Sequence, residues 1–551
     1  MTATLRGLLP RRSDYAGVAR SWKADLVAGA TVGVVALPLA LAFGITSGLG
    51  AEAGLITAIV AGLVAAVFGG SDVQVSGPTG AMTVVLVPVV ARHGTEAVLV
   101  VSILAGLLVV GAGLLRLGRY LAFVPWPVIE GFTVGIAVII FLQQVPGALG
   151  VATPDGERTV VVAWRALGEG LRHGEGAAVA LVALVVAILV VVPRLHRSAP
   201  ASLIAVAAAT LVAEVADLGV TRIGALPASL PAPALPGISA TQVSELFSAA
   251  AAVAVLAALE SLLSAKVADG MADGRPHDPD RELIGQGLAN LVCPLFGGMP
   301  ATGAIARTAV NVRSGARTRL AAMIHSVVLL VVVLAAGGLV ARIPLAALAG
   351  VLMVTATRMV EVHNVRAVVR ATRSDALVFG LTALATVVFD LILAVEVGIA
   401  AAAVLALRQV ALTAQITPVP AGGPDRDQAE HLLHDGILVY RLDGALFFGA
   451  AQRFLTELTA VSDASVVVLR LPELQVLDAT GAQALGEIVS ELEARGITVL
   501  LKGPRPEHLR VLSATGALAR LRHENHLFTD LDAALAHARH HVEHAADVAH
   551  L

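Results

Sequence analysis

The sequence predicts a polytopic α-helical membrane protein: fourteen transmembrane segments arranged as two inverted repeats of seven, followed by a small cytoplasmic α/β domain. Three observations carry this prediction. Hydrophobic residues make up 57% of the 551 residues and charged ones 14%, at a mean hydropathy of +0.82. A soluble protein of this length could not hide that much apolar surface. Two stretches inside the apolar part, 75–85 (VSGPTGAMTVV) and 297–320 (GGMPATGAIARTAVNVRSGARTRL), are broken by Gly and Pro. Past Val410 the composition turns polar and then alternates strand-like with helix-like segments.

Residues 1–23 read as a basic cytoplasmic leader, with Arg6, Arg11, Arg12, Arg20 and Lys23 against Asp14. Arg11-Arg12 opens no cleavable signal, because the apolar run that follows is long and lacks a cleavage-type site. The transport-sized apolar part, 24–412, divides into segments near 24–48, 52–69, 79–91, 96–115, 124–145, 176–193, 199–216, 244–267, 283–297, 303–313, 319–340, 345–360, 374–390 and 392–412. Two of them, 79–91 and 303–313, are too short to cross a bilayer, and 283–297 is the least apolar. Threaded from a cytoplasmic N-terminus, the inward loops collect basic residues: Arg116 and Arg119; Arg194 and Arg197; Lys266, Arg275 and Arg281; Arg313, Arg317 and Arg319; Arg358, Arg366, Arg370 and Arg373. The outer loop 217–243 has only Arg222, and the outer loop 146–175 is mixed.

Seven is an odd number, so the two halves run in opposite senses. The third segment, starting near Thr79, then enters from the inside and the tenth, near Gly303, from the outside, so their N-termini meet. Two broken helices in corresponding positions of two halves point to a transporter binding site. A half-helix N-terminus offers unpaired N–H groups and a partial positive charge, which suits an anion. Arg307 adds a full charge there.

Intramembrane charges are functional hypotheses. Glu260, in AVLAALESLLSAKVADG with Ser261 and Ser264 beside it, is the main one. A carboxylate in a low-dielectric setting can accept and release a proton during a cycle. The alternative is a static Glu260–Arg307 pair. Phe43, after a break at Pro38, is a candidate for the apolar wall of the pocket. Asp25 and Glu52 are expected at interfaces, Asp390 in a loop, Glu396 in a structural role, and Asp72 on the inner side before the first broken segment. The lone cysteine, Cys293, is expected to be a small buried core residue.

The linker 413–435 leads to a domain at 436–535 with strands at 437–442, 465–471 and 497–502 and helices near 450–461, 480–495 and 506–515. A tail at 536–551 carries His537, His540, His541, His544 and His550; their spacing could hold a metal, but without Asp, Glu or Cys partners in a fixed pattern a solvated helix end with no metal is the favoured reading.

These residues carry a resemblance. SGPTGAMTVV (76–85), ESLLSAKVADG (260–270) and the run 281–326 resemble the SulP (sulfate permease) family of anion transporters, and the C-terminal module with LDATG (477–481) resembles that family's STAS domain. The resemblance implies core and gate domains, a homodimer, and an anion held between segments three and ten. Carried over by position, it puts Leu39 and Phe43 on the first segment and Thr79, Gly80 and Ala81 on the third. Glu260 and Ser264 fall on the eighth, and Gly303, Ala304, Ile305, Ala306 and Arg307 on the tenth. Sodium-coupled bicarbonate members carry Asp at the Glu260 position and a hydroxyl residue at that of Ile305; an isoleucine offers a hard cation no oxygen. Glu260-Ser261 and ATGAIART look more like proton-coupled bacterial dicarboxylate carriers. Ala304 and Ala306 stand where chloride-conducting relatives carry serine. Ala479 stands where anti-sigma antagonists of the STAS fold carry a phosphorylated serine, which speaks for a docking or structural module.

The expectation is therefore a proton-coupled secondary transporter of sulfate, bicarbonate or a C4-dicarboxylate in the cytoplasmic membrane, with both termini cytoplasmic. The alternatives are a Na+-coupled bicarbonate transporter and an uncoupled anion channel or exchanger. Expected partners are the anion, the lipid bilayer and a second copy of the chain, without nucleic acid. No cofactor beyond the coupling proton is implied, and no nucleophile–base constellation suggests an enzyme.

Overall fold

The computed structural model describes residues 10–119, 125–154, 158–196, 199–225, 229, 231–234, 240–272, 275–389, 391–413, 415–418, 436–447 and 464–549. The chain forms two compact units that divide between residues 399 and 400.

The first unit is helical. Its apolar helices are α1 (Val18–Thr46), α2 (Ala51–Phe68), α3 (Gly80–His93), α4 (Thr95–Leu114), α5 (Trp126–Leu149), α6 (Gly176–Leu195) and α7 (Ala201–Val215). They continue as α8 (Ala240–Met271), α9 (Pro279–Val292), α10 (Ile305–Arg313), α11 (Leu320–Val340), α12 (Leu345–Met359), α13 (Arg373–Val388) and α14 (Leu391–Thr413), which crosses the boundary between the units. Among the described residues, eight helices are long and apolar enough to cross a membrane, and α3 and α10 fall short. Two amphipathic helices, Thr159–His173 and Val362–Ala371, occupy stretches that the sequence reading leaves as loops. Their apolar residues cover one face only, so a hydropathy window passes over them.

The Pro38 break is not a break. α1 runs through Pro38 without interruption, since proline removes one ladder hydrogen bond that neighbouring elements in a packed bundle can offset. Asp25 is fully buried within the protein: it accepts from Ser21 Oγ, the Arg317 and Thr318 amides and Thr318 Oγ1 at 2.7–3.0 Å. Two of the expected inward-loop cations are also internal. Arg281 pairs with Asp14 at 2.7 Å, and Arg319, 2% exposed, pairs with Asp72 at 2.9 Å.

α9 explains why 283–297 reads poorly as a membrane segment. Glu282, Gln286 and Asn290 recur every fourth residue and so share one face of the helix, buried at 0–2% exposure. Glu282 accepts from the Gly70 and Ser71 amides at 2.7 and 3.1 Å, and Gln286 Nε2 donates to Ser76 Oγ at 2.6 Å. Asn290 exchanges two hydrogen bonds with the Ala301 backbone at 2.7 and 2.9 Å. The helix is a polar clamp on both broken segments. Cys293 follows it as a buried free thiol.

The broken segments themselves pair. β1 (Ser76–Gly77) lies antiparallel to β2 (Thr302–Gly303), Ser76 opposite Gly303 and Gly77 opposite Thr302. The Ala304 amide extends the ladder to the Val75 carbonyl at 2.9 Å. This short ribbon satisfies backbone that would otherwise be costly in an apolar setting.

The second unit holds one sheet: β3 (Gln415–Pro418), β4 (Ile437–Leu446), β5 (Val466–Arg470), β7 (Thr498–Lys502) and β8 (Leu527–Phe528) in that order, with β6 (Leu474–Leu477) on β4. β3 is the antiparallel edge and begins inside the stretch read as linker; Pro418 is tolerated because an edge strand has a free side. α15 (Ala479–Ala494) and α16 (Pro506–Ala514) cover one face, and α17 (Leu531–Ala549) the other through Ala534, Leu535 and Ala538. α17 therefore runs across the boundary between 535 and 536, where the sequence reading starts a separate tail. Asp478 caps α15, accepting from the Gly481 amide at 2.7 Å. The expected helix near 450–461, most of the linker, Asp390 and the side chains of Glu396, His544 and His550 lie outside the described residues.

Candidate functional site

The ribbon aims two helix starts at one place. Thr79 is the N-cap of α3 and Ala304 that of α10. The first amides of each helix lack an intrahelical acceptor. Among the described residues those of Gly80, Ala81, Ile305, Ala306 and Arg307 find no other acceptor; the first ladder bonds run from Thr83 to Thr79 and from Thr308 to Ala304. Ile305 and Ala306 are exposed, whereas Gly80, Ala81 and Ala304 are buried.

Phe43, buried on α1, lies against the start of α3. A Cβ placed on Gly80 would meet Phe43 Cε1 at 3.3 Å and Ile140 Cδ1 at 2.1 Å, so both side chains close over the start of α3 and only glycine fits beneath them. Leu39, one turn earlier on α1, packs half-buried against the same core.

Glu260, partly buried on α8, accepts from the Thr79 hydroxyl at 2.9 Å. Ser261 donates or accepts at 2.9 Å with Thr302 Oγ1 and accepts from the Gly303 amide at 2.9 Å. Ser264 Oγ donates to Thr308 Oγ1 at 3.1 Å, and Thr308 accepts from the Val75 amide at 3.0 Å. The serines thus hold the ribbon and α10 in place, while Glu260 holds the cap of α3.

Arg307 is 2% exposed. Its Nη2 donates to the Pro78 carbonyl, and its buried Nη1 has no partner among the described residues. Among the described residues no direct ion-pair contact joins it to Glu260, although the two charges lie near enough to attract each other. A buried cation with an idle N–H group is expensive unless an acceptor joins it. Two more polar side chains share that condition. Among the described residues, Gln74, 5% exposed, has neither amide atom partnered and presses on Gly303, and fully buried His325 has neither ring nitrogen partnered.

Sequence reasoning missed Ile140, Gln74, His325 and the clamp of α9. His325 and Gln74 were signalled as polar residues within or beside apolar runs. Ile140 had no signal, because it is an ordinary apolar residue until α5 is seen to lie over Gly80.

Comparison with known proteins fits this architecture. Residues 22–382 match the model of the sulfate permease family and residues 429–534 that of the STAS domain. YvdB of Bacillus subtilis (strain 168), provisionally named a sulfate transporter, is 34% identical over 526 residues, covering 93% of this chain and 97% of YvdB. The bicarbonate transporter BicA of Picosynechococcus is 34% identical over 496 residues, 86% of this chain and 87% of BicA. The murine anion transporter Slc26a9, in its inward-facing state, shares the fold at a TM-score of 0.85 over 98% of this chain and 95% of its own, at 17% identity.

Proposed function

The chain belongs to the sulfate permease family, and from that premise we propose that it is a proton-coupled secondary transporter of small anions working by alternating access. The observation that carries the reading is the paired ribbon of Ser76–Gly77 and Thr302–Gly303. It links two helix N-termini, whose first five amides lack an acceptor among the described residues, with the buried Nη1 of Arg307, a donor-rich environment that suits an oxyanion or carboxylate. Substrates of the sulfate, bicarbonate or C4-dicarboxylate class all present the oxygens these donors need. The names of the relatives favour sulfate and bicarbonate.

Glu260 is the proposed proton carrier. It touches the α3 cap through Thr79, so a change in its protonation alters one wall of the anion site directly. A sodium-coupled bicarbonate reading is the rival; Ile305 at the start of α10 argues against it, since its side chain offers no oxygen to a hard cation. The distribution of Lys and Arg supports cytoplasmic termini, and the family resemblance supports a homodimer.

Uptake of labelled sulfate, bicarbonate and fumarate into proteoliposomes under an imposed pH or Na+ gradient tests the proposal. Uptake should follow the proton gradient, and Glu260→Gln should bind the anion but lose that dependence. Uptake driven by sodium, or a Glu260→Gln protein that still follows protons, sinks the coupling assignment. Currents that do not saturate with anion concentration would make it a channel.

A further inference from the structure

His526, His537 and His541 bring three imidazoles together on the C-terminal unit, and we propose that they bind a borderline divalent transition-metal cation of the Zn2+ class, fastening α17 to the sheet. One ligand nitrogen from each lies within 4.8 Å of the other two. His537 and His541 are four residues apart on α17 and so share a face. His526 comes from the turn just before β8, and its ring centroid lies 5.5 and 5.2 Å from theirs.

The second observation is an unmet need. His526 is fully buried, and among the described residues neither of its ring nitrogens makes a hydrogen bond of normal geometry, nor does the buried Nε2 of His537. Buried polar groups are normally satisfied. The Val499 backbone lies against the His526 ring, where it can orient the imidazole as outer-shell groups orient metal-bound histidines.

Three neutral nitrogens with an open fourth position suit zinc, and imidazole selects Zn, Cu or Ni over hard cations. Tetrahedral Zn–N bonds of about 2.0–2.1 Å put the nitrogens roughly 3.3 Å apart, so side-chain adjustment closes the cluster. His526 and His541 are biased toward the neutral form that a metal requires. Burial, followed by the neighbouring His541, His537 and His523, pushes His526 down to about 4, and burial also lowers His541. A bound cation would join the turn before β8 to the helix whose Ala534, Leu535 and Ala538 pack on β4, β5 and β7.

The test uses the full chain in detergent, purified through a tag without histidine, stripped with EDTA and titrated with ZnCl2 by calorimetry. The wild type should bind a single Zn2+ per chain, and Co2+ should give the visible absorption of a tetrahedral site. His537→Ala and His541→Ala, both at partly exposed positions, should each weaken binding at least about 100-fold. His540→Ala, on the same helix but outside the cluster, should bind as wild type. Zn2+ should also slow hydrogen exchange along α17 in the wild type and not in His541→Ala. No Zn2+ binding, or binding that follows His540 and ignores His537 and His541, overturns the proposal.

Discussion

The Thr79 hydroxyl donates to Glu260 Oε2 at 2.9 Å, so the N-cap of α3 is tied to α8 while the Arg307 guanidinium is tied to the Pro78 carbonyl instead. Carboxylate and cation thus reach the same broken segment, 76–80, through different groups. The tie predicts that Thr79→Val slows uptake by roughly 10–100-fold, the rate equivalent of the about 1.5–3 kcal/mol attached to a hydrogen bond with a charged group. Thr79→Ser keeps the hydroxyl and should transport near the wild-type rate. Initial uptake rates at matched protein levels in proteoliposomes decide this; wild-type transport by Thr79→Val would make the contact incidental.

Gly80 gives a second prediction. Its added methyl would overlap Ile140 Cδ1 at 2.1 Å but Phe43 only lightly, at 3.3 Å. Gly80→Ala should therefore reduce transport at least about tenfold, since overpacking costs roughly 1–3 kcal/mol. Ile140→Val removes the offending carbon, so the Gly80→Ala/Ile140→Val double variant should recover most of the loss. Failure of the second substitution to rescue the first would place the damage at Phe43 or in the helix start itself.

The path from sequence to site was uneven for physical reasons. Apolar runs mark helices α1 to α14 within a few residues, because a spanning segment needs length and hydropathy and little else. The two broken segments announced themselves through Gly and Pro. Their pairing as a ribbon was invisible, since Ser76–Gly77 and Thr302–Gly303 are too short to show a strand pattern. α9 was nearly lost because its working face is polar: Glu282, Gln286 and Asn290 lower its hydropathy precisely where they hold the ribbon. Asp25 and Arg319 looked like boundary charges, and only the fold reveals the amides and the carboxylate that bury them. The histidines of the last helix looked solvated because the third member of their cluster, His526, lies eleven residues upstream of His537 on another element.

Asp25 predicts a stability effect without a direct role in transport. Its two oxygens serve two backbone amides and two hydroxyls in the interior, and no water is needed to satisfy them. Asp25→Ala leaves those donors orphaned and should cost about 3 kcal/mol or more. Asp25→Asn retains one acceptor oxygen and should fall between. Thermal unfolding in detergent reads the order wild type, Asn, Ala; an unshifted Asp25→Ala midpoint would mean that the segment before α11 re-forms its contacts elsewhere.

His526 predicts how the C-terminal unit responds to acid. Its folded-state value is pushed down to about 4 from the ordinary 6.5, first by burial and then by His541, His537 and His523. Between those two pH values the unfolded chain binds more protons than the folded one, so stability rises with pH there. The contribution is whole above about 6.5, drains away as pH falls toward 4, and levels off below that. His508 and His541 are also lowered by burial and act in the same direction. Hydrogen exchange of the β7 amides in the full chain, with EDTA present and intrinsic rates corrected for pH, should show protection falling across this window. His526→Gln should flatten that fall, because the group that titrates is gone. An undiminished slope in His526→Gln would move the acid response to His508 and His541, and would mean that the His526 ring finds a proton acceptor in the folded chain after all.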